Sequence, residues 1–90
     1  MIEALVILQE ECAEVSQIIS KIHRFGPDSK PPTSNDTNLT LLHKEIGDLL
    51  CMINVCVEKK LLDIETLERH AEEKREKLKV WSNLKRKNNG

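Results

Sequence analysis

Leu39-Thr-Leu-Leu42-His-Lys-Glu45-Ile46-Gly-Asp48-Leu49-Leu-Cys-Met-Ile53-Asn-Val-Cys56 sets apolar side chains at 39, 42, 46, 49, 53 and 56. Steps of three and four mark one face of an α-helix. Leu50, Met52, Val55 and Val57 broaden that face, so this helix, running to about Lys59-Lys60, is expected to be the most buried of the chain. Upstream, Ile2 to Phe25 repeats the spacing with Leu5, Leu8, Cys12, Val15, Ile19 and Ile22, and Gly26-Pro27 stops it. Between the two lies Gly26-Pro-Asp28-Ser-Lys30-Pro-Pro32-Thr-Ser34-Asn-Asp36-Thr37, almost all turn formers. Loops of this length are often functional, so 26–37 is a candidate flexible lid, with Asn38 placed to cap the next helix. Downstream, Leu61-Leu62-Asp63 is a connector with Asp63 as N-cap, and Ile64, Leu67, Ala71, Leu78 and Trp81 line a third helix that frays in the basic tail 85–90. No segment carries a strand signal. The chain reads as a single all-α domain of three helices.

Composition narrows the function classes. Of the 90 residues 32% are charged, and 14 Lys+Arg against 15 Asp+Glu leave a net charge of -1. A balanced charge and two aromatic residues give no footprint for nucleic acid. No apolar run approaches the ~20 residues of a membrane span. The start, Met1-Ile-Glu3, lacks the basic residues of a secretory signal. Three cysteines, Cys12, Cys51 and Cys56, are an odd number without Cys-x-x-Cys spacing. They read as reduced, buried apolar side chains of a cytoplasmic protein rather than as disulfides or a zinc site.

Polar positions carry a second pattern. With Leu8 as the origin and about 100° per residue, Glu11 falls near 300° and Glu14 near 240°; with Leu42 as the origin, Glu45 and Asp48 fall at the same two angles. Each of two consecutive helices therefore carries an i, i+3 pair of acids along the same border of its apolar stripe. If the stripes pack antiparallel, four carboxylates converge. Such a cluster is either solvated decoration or a site for a hard divalent cation, which oxygen ligands suit. The Glu-x-x-His of di-iron bundles is missing from both pairs, and His43 points away from the acids.

Glu10-Glu11-Cys-Ala-Glu14 resembles the EExxE motif, and Glu45-Ile-Gly-Asp48 the ExxD motif, of the MazG-like all-α nucleotide pyrophosphohydrolases. Ser20-Lys21-Ile-His-Arg24-Phe25-Gly26 is similar to the small stand-alone, phage-type members, and the resemblance spans about Leu8 to Leu84. The stretch between Glu14 and Glu45 is longer than is typical of the family. The resemblance implies Mg²⁺-dependent (Mn²⁺ possible) hydrolysis of a nucleoside triphosphate to monophosphate and pyrophosphate. It also implies a homodimer or homotetramer, a helical bundle completed by oligomerisation.

Carried over, Glu11, Glu14, Glu45 and Asp48 are the metal ligands, while Glu10 matches the motif but points farther from the stripe. Glu11 is the candidate proton acceptor for the attacking water. Lys21, Arg24, Lys74 and Lys77 are candidate phosphate contacts and Phe25 a candidate base contact, with snorkelling lysines and an apolar helix-end contact as the plainer alternatives. Trp81 is expected to anchor the core or an interface, Asn54 to hydrogen-bond at an interface, and His23 and His70 to be solvated. A rival of another class is a non-catalytic helical dimerisation or adaptor protein with an acidic metal-binding face.

Overall fold

The computed structural model describes residues 2–81. It contains α1 (Glu3–Phe25), α2 (Asn38–Glu58) and α3 (Ile64–Trp81), and among the described residues no strand. The expectations for the Trp81 side chain and for the basic tail, Lys85 to Lys87, lie outside the described residues.

Local chemistry sets the helix ends. α1 stops where Gly26 turns to φ 91°, a region open to glycine, and its N–H closes on Ile22 O at 2.8 Å. The cap of α2 is Thr37, not Asn38: Thr37 Oγ1 accepts from Thr40 N at 3.2 Å. Asn38 is drawn inward instead, 2% exposed, with Nδ2 donating to Gly26 O at 3.1 Å. The inward amide satisfies a carbonyl left over at the end of α1, while its own Oδ1 is buried without a partner among the described residues. Asp63 caps α3 as expected, accepting from Thr66 N at 3.0 Å and Thr66 Oγ1 at 2.7 Å. At the end of α2, Lys60 adopts φ 63°, and the Leu61 and Leu62 amides both return to Cys56 O.

α1 packs along α2, while α3 makes only marginal contact with either. Loop 26–37 ties the end of α1 to the start of α2: Asn38 N donates to Ser29 O, Leu39 N to Pro27 O, and Lys44 pairs with Asp36 at 2.7 Å. At the opposite end, Ile2, Ala4 and Ile7 share a groove with Met52, Val55 and Lys59. A radius of gyration of 16.0 Å exceeds the roughly 12 Å of a compact chain this long, and the molecule is a slab of 40 × 39 × 16 Å.

The packed seam is not centred on the apolar stripes. Its α1 side runs through Ala4, Glu11 and Ile18, seven residues apart and so on one face; its α2 side runs through Asn38, Glu45 and Met52, with Cys56 beside them. Ala4, Ile18 and Cys56 are the buried apolar residues among those described. Leu5, Ile19, Leu39, Ile46 and Leu50, expected in the seam, stay 39–55% exposed. Cys12 and Cys51 are exposed too, against the expectation of three buried thiols; Cys56 alone is buried. The reason is geometric: one neighbouring helix covers only part of a wide stripe, and here it covers the acid-bearing edge.

Candidate metal centre

Seating the seam at Glu11 and Glu45 brings the acids together. One carboxylate oxygen each from Glu11, Glu14 and Glu45 lie within 4.8 Å of one another. Glu11 and Glu45 are half-buried and Glu14 is exposed. On both half-buried residues Oε2 is shut off from solvent and has no hydrogen-bond partner among the described residues. A buried acceptor without a donor is costly, and costlier when charged.

The charges respond to this. Glu11 is pushed above its ordinary 4.5 first by loss of solvation, then by the negative charges of Glu14, Asp48 and Glu10. Glu45 is raised as well, first through a hydrogen bond with Glu14 that needs a proton on one of the two carboxyls. Burial and the charges of Glu14, Asp48 and Glu11 add to it. Both acids are pushed by acids, and among the described residues no base relieves either of them. Divalent cations suit such a group through its chemistry: oxygen donors only, several formal charges, and two oxygens lacking partners.

Of the four expected ligands, three converge. Asp48 acts on Glu11 and Glu45 through its charge but stays exposed and outside the 4.8 Å group. Glu10 is exposed and contributes only charge to Glu11. Lys21 is exposed on α1. Arg24 stacks its guanidinium over the Phe25 ring at 5.2 Å, and Phe25, 61% exposed, does not close the helix end as an apolar contact. Lys74 and Lys77 are exposed on α3, which this chain does not bring against the α1–α2 pair. His70 lies 3.6 Å from Glu73 on its own helix, Asn54 is exposed, and His43 Nδ1 lies 2.9 Å from Leu39 O.

No family model, no curated protein and no solved structure matches the chain. What the helix phases did not anticipate is depth: Glu11 and Glu45 stand within the seam rather than beside it. The seven-residue step from Ala4 to Glu11 to Ile18 carries that signal, since small and apolar residues flank the acid on the same face.

Proposed function

We propose that the protein is a Mg²⁺-dependent nucleoside triphosphate pyrophosphohydrolase. In this reading α1 and α2 run antiparallel, Glu11, Glu14, Glu45 and Asp48 hold the cation, Mn²⁺ substituting for Mg²⁺, and the working unit is a homodimer or homotetramer. The observation that carries it is the approach of the Glu11, Glu14 and Glu45 oxygens within 4.8 Å, two of these residues having a buried, partnerless Oε2. The sequence resemblance at Glu10-Glu11-Cys-Ala-Glu14 and Glu45-Ile-Gly-Asp48 supplies the substrate class. Among the described residues no helix is long and apolar enough to cross a membrane, which is compatible with a diffusible substrate.

Bound there, the cation supplies charge neutralisation for the phosphates and acidifies a water. Glu14 and Asp48, the exposed members, face incoming substrate; Glu45 fixes the cluster to α2. Glu11, held above its ordinary range by poor solvation, is suited to take a proton from the attacking water at its other carboxylate oxygen, Oε1. Arg24 and Lys21 offer positive charge on the same helix as two of the acids.

Pyrophosphate release from a panel of nucleoside triphosphates, with and without Mg²⁺, tests this. Metal-dependent release that is lost in Glu14→Gln and Asp48→Asn supports the assignment. No release from any substrate, with melting unmoved by Mg²⁺ and nucleotide, leaves the adaptor reading.

A further inference from the structure

We infer that a second copy of this chain packs on the face of the α1–α2 pair opposite Glu14 and Asp48. The inference gives a surface to the self-association in the reading above, and it does not depend on hydrolysis. Measured from the seam at Glu11 and Glu45, with the helices in opposite directions, Leu5, Cys12 and Ile19 turn about 80–120° to one side. Leu39, Ile46 and Leu50 turn about 100–140° to that same side, whereas Glu14 and Asp48 turn about 60° to the other. One flat side of the slab is thus apolar, and the acids open on the opposite side.

Three observations select another copy as the occupant. The first is charge. In a chain with 32% charged residues, this face holds no Asp, Glu, Lys or Arg. Its α1 flank is Gln9, Ser16 and His23, and its α2 flank is His43, Gly47 and Asn54. A face without fixed charge fits another of its kind and rejects a charged partner. α3, crowded with Glu, Arg and Lys from Glu65 to Lys79, is poorly matched to cover it.

The second is area. Two helices about 30 Å long and together about 20 Å wide offer roughly 600 Å² per copy, or about 1,200 Å² buried in all, which reaches the lower bound of stable interfaces. The third is need. A core of Ala4, Ile18 and Cys56 is too small to hold helices of 23 and 21 residues together alone. Pairing the two faces yields a four-helix core.

The chain carries its own reporters. Cys12 lies on the proposed face and Cys51 away from it, and both are exposed in the single chain. The native protein is treated with N-ethylmaleimide in metal-free buffer, each site is followed by mass spectrometry, and the oligomer is sized by sedimentation at the same concentration. The expected result is a dimer or larger assembly in which Cys12 reacts at least an order of magnitude more slowly than Cys51, with Ile46→Lys shifting the assembly toward monomer and restoring Cys12 reactivity. Equal rates at the two cysteines, or a folded monomer, overturn the inference; a monomer with Cys12 protected assigns the cover to the chain's own α3. Should Ile46→Lys not fold, the wild-type rates and mass decide alone. Since neither metal nor nucleotide is present, an enzyme without hydrolytic activity leaves this result standing.

Discussion

A carboxylate oxygen of Glu11 and one of Glu45 lie within 4.8 Å of each other across the α1–α2 seam, and the Oε2 of each lacks a donor among the described residues. Without a cation, each charge opposes the other in a place where water screens poorly. Glu11→Gln or Glu45→Gln removes one charge and adds an amide that can donate to the remaining carboxylate. The metal-free variants should melt above the wild type, while Mg²⁺-dependent turnover falls about 100-fold or more, as expected on losing a ligand. Calorimetry in chelator and a pyrophosphate assay check both; a variant that melts lower without metal removes the strain we assign to the cluster.

That pairing was only partly legible in the sequence. The three helices follow from apolar spacing and from Gly26 and Asp63, because local rules govern both. Matching acid pairs on α1 and α2 were visible as well. What the sequence hid was which edge of each stripe meets the other helix. A broad stripe permits several rotations, and a wheel centred on Leu8 and Leu42 put Glu11 and Glu45 at the border. Asn38 misled for a related reason: its residue type suits a cap, but tertiary demand from Gly26 O claimed the side chain. The positions of Lys74 and Lys77 relative to the acids depend on α3, which among the described residues makes only marginal contact with the other helices.

pH offers a separate check. Glu11 and Glu45 are both raised above 4.5 in the folded protein, so between that value and their folded values the native state holds more protons than the unfolded one. Stability from these groups is full below 4.5 and declines as pH rises through the folded values. Metal-free protein should therefore gain thermal stability as pH is lowered from neutrality toward 5, unlike most proteins with ion-paired carboxylates. Saturating Mg²⁺ should flatten or invert the trend, since the cation favours the ionised forms. Melting profiles across pH, with and without Mg²⁺, report both signs; identical profiles would falsify cation binding at these residues.

Asn38 and Thr37 are adjacent but should differ in what their loss costs. Thr37→Ala removes a cap that water can partly replace and should cost about 1 kcal/mol. Asn38→Ala leaves the Gly26 carbonyl without its donor at a part-buried joint and opens a small void, partly offset by removing the partnerless Oδ1, and should cost about 2 kcal/mol. Denaturant titrations at fixed protein concentration give the two values. An Asn38→Ala effect no larger than that of Thr37→Ala would mean the joint is not held by this hydrogen bond.

Lys60, at φ 63°, occupies a conformation that favours glycine. Lys60→Gly should stabilise the protein by about 1 kcal/mol, less any added freedom of the unfolded chain. Its side chain is exposed, so no contact is lost in exchange. A fall in melting temperature would show that the turn after α2 relaxes out of the left-handed region in solution.

Lys74 and Lys77 are exposed on α3, which among the described residues makes only marginal contact with α1 and α2, so a contact with a triphosphate at Glu11, Glu14 and Glu45 is open to either copy in an assembly. Replacing both with Ala should leave melting unchanged, because both are exposed. It should lower kcat/KM by about ten-fold or more, mainly through KM, as expected for losing charge-assisted contacts to phosphate. Mixing then reveals where each site draws its parts. Glu14→Gln protein and the double lysine variant are each impaired alone. If they exchange subunits and the lysines act across the interface, half of the dimers are hybrids with one site whole and the other doubly damaged, so activity returns to about a quarter of wild type. If the lysines serve the acids of their own chain, every hybrid site carries one defect and mixing restores nothing. Unchanged kinetics in the double variant would shift phosphate binding to Lys21 and Arg24.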